Sequence, residues 1–253
     1  MDGLLINTED LYFTCMNTIL EKYNRPPLPS SLKPKLMGVP SPVAASILYA
    51  WAGLPISRER FDQEQDQQQQ LYYPHCELLP GVVELLSDLK SSEVKIALAS
   101  SSSRALYDLK LSRPEVRAVF NDFPVPNIIL GDNPAIRKGR GKPAPDIFLL
   151  ALETINSLLS ESDKVGPAEC LVFEDSVPGV EAVRRAGMQV VWIPHEELAR
   201  EFKEREGEVL AGRAGLSELG DDWQLGTIGD AWGRCYKSLE EFPYATYGIL
   251  LKD

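Results

Sequence analysis

The sequence predicts an α/β fold, a doubly wound parallel sheet with an inserted α-helical cap. Three observations lead there. Four short apolar runs, at 94–99, 127–130, 170–173 and 189–193, alternate with helical patterns. That alternation is the mark of parallel strands buried on both faces by helices. Between Thr8 and Leu78 the spacing is helical and no strand signal occurs. Polar residues able to do chemistry stand just past the ends of the expected strands, where ligands gather in such sheets.

The elements follow in order. Met1-Asp2-Gly3-Leu4-Leu5-Ile6-Asn7-Thr8-Glu9 has the texture of a turn that leaves a buried strand and enters a helix. Leu11, Phe13, Met16, Leu20 and Tyr23 recur near helical spacing, and Asn24-Arg25-Pro26-Pro27 ends that helix. Val43, Ile47, Leu48 and Trp51 suggest one apolar face of a further helix, and the Glu-, Asp- and Gln-rich stretch from Phe61 to Leu71 reads as a solvated one. This all-α stretch, 9–77, is assigned as a cap. The α/β core is assigned to 1–8 and 78–253. In the core, helix Val82–Leu89 leads to the strand Val94–Ala99. Strands Asn127–Leu130, Cys170–Phe173 and Gln189–Ile193 follow, with helices at Asp146–Leu159 and Pro178–Ala186. The Gly- and Asp-rich segment Ala211–Trp232 reads as a surface insertion, a disordered linker by default.

Composition narrows the function. A net charge of −11 argues against nucleic acid or an anionic membrane as a partner. An anionic small substrate remains compatible, since a local cluster of donors can outweigh the global field. Cys15, Cys76, Cys170 and Cys235 are widely spaced with no CxxC pair, which points to free thiols in a reducing compartment and a cytoplasmic protein. The two histidines, His75 and His195, each follow a proline and read as loop residues. No apolar run reaches transmembrane length, and no basic-then-apolar leader is seen. A monomer is expected.

The chemistry lies at the strand ends. Asp2 stands at the first, Ser100 and Ser101 at the second, and the Glu174-Asp175 pair at the fourth. Lys142 sits between them in the Gly/Pro-rich loop Gly141-Lys142-Pro143-Ala144-Pro145-Asp146. Each piece alone has an ordinary reading: a helix cap, a turn, a solvated lysine. Together, carboxylates suit a hard divalent cation such as Mg²⁺. A serine hydroxyl, backbone N–H groups and an ammonium suit phosphate oxygens. The set is a proposal for phosphoryl transfer by electrostatics and positioning.

These residues carry a resemblance. Asp2-Gly3-Leu4-Leu5-Ile6-Asn7-Thr8-Glu9, Ala97-Leu98-Ala99-Ser100-Ser101-Ser102, Gly141-Lys142-Pro143-Ala144-Pro145-Asp146 and Leu171-Val172-Phe173-Glu174-Asp175-Ser176 resemble, in order, the four motifs of the haloacid dehalogenase superfamily. Leu36-Met37-Gly38, Leu54-Pro55-Ile56-Ser57, Leu130-Gly131-Asp132-Asn133-Pro134 and Ala186-Gly187-Met188-Gln189-Val190-Val191 are similar to its pseudouridine-5′-phosphatase-like branch. Asn7 departs from the more usual Asp. The likeness implies an Mg²⁺-dependent phosphatase of small phosphorylated metabolites, pseudouridine 5′-phosphate or a sugar phosphate, acting through an aspartyl phosphate. By the same likeness, Asp2 is the general acid/base and its main-chain carbonyl a metal ligand, with Glu174 and Asp175 completing the Mg²⁺ site. Ser100 and Ser101 bind phosphate, Lys142 neutralises it and orients the nucleophile, and Gly38 lies in a substrate-specificity loop.

In the family's DxDG motif the second Asp corresponds to Asp2 and the x to Met1, so the nucleophile is expected immediately before Met1. An incomplete gene model or internal start is the reading the physics favours, because the strand in question is central and paired on both sides. A catalytically inactive metabolite- or protein-binding protein, and a β-phosphoglucomutase-like phosphomutase, are the alternatives.

Overall fold

Helix α1 (Thr8–Lys22) forms because Phe13, Met16 and Leu20, with Cys15 and Ile19 beside them, fall on one buried stripe. The structure, a computed structural model, describes residues 1–39, 41–215 and 225–252. α2 (Lys33–Leu36), α3 (Ser41–Ala52) and α4 (Arg58–Tyr72) follow, and no described residue between 8 and 75 is in a strand. Ser57 caps α4, its Oγ accepting from the Arg60 N–H at 3.2 Å.

Two expectations for these helices are corrected by packing. α4 is not wholly solvated: Phe61, Glu64, Gln65 and Gln69 are buried where it lies along α1. The buried Glu64 carboxylate is matched by Lys22 at 2.7 Å, Arg60 at 2.8 Å and the Tyr23 hydroxyl at 2.7 Å. On α3 the buried stripe is Ala44, Ala45, Leu48 and Ala52, while Val43 and Trp51 are exposed. The small alanines let α3 approach α2 and α4 closely, so the packed face is rotated from the one that side-chain size suggests.

The second half alternates strand and helix. α5 (Val82–Ser91) precedes β1 (Leu98–Ser100), and α6 (Arg104–Lys110) and α7 (Pro114–Phe120) precede β2 (Ile128–Leu130). Then come α8 (Asp146–Asn156), β3 (Leu171–Glu174), α9 (Val177–Arg185), β4 (Gln189–Trp192), α10 (Glu196–Glu201), α11 (Glu206–Leu210) and β5 (Gly233–Cys235). Every pairing of these strands is parallel: Leu98 faces Ile128, Leu171 faces Gln189, and Val190 faces Gly233. β5 carries no apolar alternation, so it was not legible; the free edge of β4 recruits it.

The sheet is in two parts, β1-β2 and β3-β4-β5. Among the described residues β1 pairs only with β2, and β3 only with β4. A cavity of about 740 Å³ touches both, lined by Leu98 and Ala99 of β1 and by Leu171, Val172 and Phe173 of β3. Leu85 and Leu86 of α5, Phe148 and Ala151 of α8, and Met1 also line it. β1 is shorter than the expected 94–99 run, for only Leu98–Ser100 find a ladder partner.

Of the segment read as an insertion, residues 216–224 lie outside the described residues. Its flanks pack: Ala211 and Ala214 are buried, and Asp230 pairs with Arg184. All four cysteines are free thiols. Among the described residues no helix is long and apolar enough to cross a membrane.

Candidate active site

The site begins in a tight turn. The Met1 carbonyl accepts from the Leu5 N–H at 2.8 Å and the Ile6 N–H at 3.2 Å, and Gly3 turns the chain with φ of +65°. A β-carbon at Gly3 would overlap the Asp175 carboxylate, so glycine is required twice, for conformation and for space.

That turn presents Asp2. Its Oδ1 accepts from Lys110 Nζ at 2.6 Å and its Oδ2 from Ser102 Oγ at 2.8 Å, while Lys110 also donates to Ser102 Oγ at 2.8 Å. Burial, the largest effect, would push the Asp2 carboxyl up; the Lys110 ammonium, the Met1 ammonium and the hydrogen bonds from Lys110 and Ser102 together outweigh it and bring the group down to about 2. Asp2 is therefore held as an anion at neutral pH. Lys110, buried at the end of α6 and 5.0 Å from the Tyr73 ring centre, is the residue that sequence reading missed. Nothing in its local pattern marks it, because only the fold of α6 carries it back beneath Asp2. Ser102 was partly legible, as the continuation of the serine run.

At the end of β1, Ser100 Oγ accepts from the Ser102 N–H at 3.2 Å, and Ser103 caps α6 by accepting from Leu106. Ser100 and Ser101 both face the cavity described below. Lys142 comes from the loop before α8. Its Nζ donates to Glu174 Oε1 and lies 4.8 Å from the centre of the Phe148 ring.

Glu174 closes β3 and is buried. Its Oε2 accepts from the N–H groups of Asp175 at 3.0 Å and Ser176 at 3.1 Å, and from Ser176 Oγ at 3.1 Å. Burial would raise this carboxyl, but Lys142 holds it below the usual range. Asp175 differs: its carboxyl makes no hydrogen bond or ion pair among the described residues. Burial, then the neighbouring Glu174 charge, push it well above the ordinary carboxylate value. A carboxyl so placed is one that a cation would relieve.

Among the described residues no three His, Cys, Asp or Glu side chains group as a metal site. The carboxylates present are Asp175 and Glu174, the latter with Oε1 already shared with Lys142. That set fits Mg²⁺, a hard cation that takes one or two carboxylates and keeps several waters.

A cavity of about 410 Å³ gathers these groups. Asp2, Ser100, Ser101, Lys142, Asp175 and Gly38 line it, with Lys110 and Ser102; Glu174 stands behind Lys142 and does not. Gly38, with φ of +68°, follows α2 and packs so closely on Ser176 that a β-carbon would overlap it. Residues 8–75 add Glu9 and Tyr12 of α1, Gln69 of α4, and Tyr73 to the wall. Burial, with the Asp2 charge adding, lifts the Glu9 carboxyl to about 7.

The fold and site have relatives. Residues 1–193 match the family described as "Haloacid dehalogenase-like hydrolase". A Saccharomyces cerevisiae protein named "Probable pseudouridine-5′-phosphatase" is 39% identical over 249 residues, 98% of this chain and 94% of its own length. An Arabidopsis thaliana mitochondrial (DL)-glycerol-3-phosphatase is 34% identical, over 91% of this chain and 74% of its own. The crystal structure of CbbY from Rhodobacter sphaeroides in complex with phosphate shares the fold, with a TM-score of 0.61, 17% identity, and coverage of 96% of this chain and 93% of that one. A family match across most of the chain and relatives above a third identical agree with the geometry of the strand ends: the chain belongs to the haloacid dehalogenase-like hydrolase family.

Proposed function

We propose that this protein is an Mg²⁺-dependent phosphatase of small phosphorylated metabolites, a pseudouridine 5′-phosphate- or sugar phosphate-type monoester hydrolase, working through an aspartyl phosphate. The observation that carries the reading is the single cavity in which Ser100, Ser101 and Lys142 meet Asp2 and Asp175. Names of the yeast and plant relatives support phosphoryl transfer from a small metabolite.

In this reading the Ser100 hydroxyl and the Ser101 N–H hold phosphate oxygens, and Lys142 neutralises their charge while Glu174 keeps its ammonium in place. Asp175, the Asp2 carbonyl and Glu174 would hold Mg²⁺, which when bound offsets phosphate charge and orients the ester. Asp2, held as an anion by Lys110, is in the form that accepts a proton, and so suits activation of the hydrolytic water. Protonating the leaving oxygen requires Asp2 first to take up a proton from water, with Lys110 released from Oδ1. Residues 9–77 act as the cap over this cavity.

The nucleophile belongs, in this proposal, to an Asp immediately before Met1, at the end of an extended apolar strand. The apolar channel of about 740 Å³ between β1 and β3, each with one unpaired edge, supports such a strand. The test is phosphate release from a panel of metabolite monoesters with Mg²⁺, comparing residues 1–253 with a chain extended upstream by its natural codons. The extended chain is expected to turn over, and residues 1–253 to fall short by on the order of 10⁴–10⁶. Equal, robust activity from residues 1–253 would overturn the nucleophile assignment. An extended chain with no activity on any monoester would overturn the phosphatase.

A further inference from the structure

One wall of the 410 Å³ cavity is built by helices of the 9–77 segment, and its polar groups take no part in the chemistry above. Tyr12 lines that wall from α1. Its hydroxyl is shielded from solvent and has no hydrogen-bond partner among the described residues. Beside it, Glu9 also lines the cavity and makes no hydrogen bond or ion pair among the described residues. Leu36, Val39 and Ala44 complete the surroundings with apolar surface. A buried hydroxyl without a partner is destabilising unless something else supplies one, and buried polar atoms in folded proteins are overwhelmingly paired. Groups of this kind in the wall of a cavity are satisfied when the ligand arrives.

We propose that Tyr12 is a specificity-determining residue: its hydroxyl, with Glu9 alongside, hydrogen-bonds hydroxyl groups on the alcohol part of the phosphate ester. This rests on the reading of the cavity as a phosphate-ester site. A hydroxyl both donates and accepts, so it serves the Tyr12 phenol and the Glu9 carboxyl alike. The site then favours polyol- and sugar-type esters over esters of apolar alcohols of equal size. The apolar ester binds less tightly because it supplies no partner for the Tyr12 hydroxyl, which stays unpaired as in the free protein.

Calorimetric titration of residues 1–253 with Mg²⁺ present tests this, using inorganic phosphate, n-propyl phosphate and glycerol 3-phosphate. The last two differ by two hydroxyls at nearly constant size. Wild-type protein is expected to bind glycerol 3-phosphate about tenfold more tightly than propyl phosphate, the worth of one well-made hydrogen bond. Tyr12→Phe keeps the ring packing and removes only the hydroxyl. It is expected to abolish most of that tenfold preference while leaving the affinities for inorganic phosphate and propyl phosphate unchanged. Equal binding of the two esters by wild-type protein, or an undiminished preference in Tyr12→Phe, overturns the assignment of Tyr12 with the phosphate site intact. Failure of wild-type protein to bind inorganic phosphate overturns the phosphate-site reading itself, and the Tyr12 assignment with it.

Discussion

Single residues of the cavity are governed by charge taken out of water. Glu9 has the clearest thermodynamic signature. Its carboxyl titrates at about 7 in the folded chain against an ordinary 4.5. Folding therefore favours the protonated acid, so the stability linked to Glu9 is fully present below pH 4.5 and is lost as pH rises through about 7. The expected loss is about 3 kcal/mol, at about 1.4 kcal/mol for each unit of separation. Urea unfolding at pH 5 and pH 8 should show this fall in wild-type protein, and a smaller one in Glu9→Gln, where the raised Asp175 carboxyl still contributes. Lys110 makes the opposite case, a buried cation already paired. Lys110→Met leaves the Asp2 carboxylate with the Ser102 hydroxyl and the nearby Met1 ammonium but no ion-pair partner among the described residues, and is expected to cost about 3 kcal/mol of unfolding free energy at neutral pH. An unchanged denaturation midpoint would show that Asp2 finds other solvation. Neither effect was visible in sequence, since Glu9 and Lys110 stand 101 positions apart and meet at Asp2 only through the fold.

At the scale of elements, the strand-to-helix junctions do most of the positioning. Ser176 caps α9 by accepting from the Gly179 N–H at 3.1 Å, while its hydroxyl proton goes to Glu174 Oε2. Ser176→Ala removes a helix cap and one support of a buried carboxylate together. It should lower stability by about 1–2 kcal/mol, read as a shift in the chemical denaturation midpoint. Gly179 fits beneath the Glu174 carboxylate, where any β-carbon would overlap it. Gly179→Ala is expected to displace Glu174 from Lys142 and to weaken inorganic phosphate binding along with stability. The strand and the helix on either side of this junction were legible because periodicity and turns are local; the Ser176 cap and the fit of Gly179 beneath Glu174 were not. Nor were the buried faces of α3 and α4. Which side of a helix is buried depends on what packs against it, and alanine stripes and a paired glutamate leave little mark in a hydrophobicity pattern.

For the whole molecule, the order of strands along the chain follows from local sequence, while their neighbours across the sheet do not. The extended chain proposed above should also be the more stable one. Filling the channel between β1 and β3 joins the two parts of the sheet and buries the half-buried Leu171, Val172 and Phe173, so its melting temperature is expected to exceed that of residues 1–253 by several degrees. No difference would argue that the channel is not a strand site. The sequence by itself determined the α/β class, the alternation of its elements and the placing of Ser100, Ser101, Glu174 and Asp175 at strand ends, because periodicity, caps and turns act over a few residues. Only the tertiary structure decided that Lys110 grips Asp2, that Glu174 is consumed by Lys142 while Asp175 is left open, and that Glu9 and Tyr12 wall the cavity. Those are meetings between residues distant in the chain, set by packing and by the cost of leaving a buried charge or hydroxyl alone.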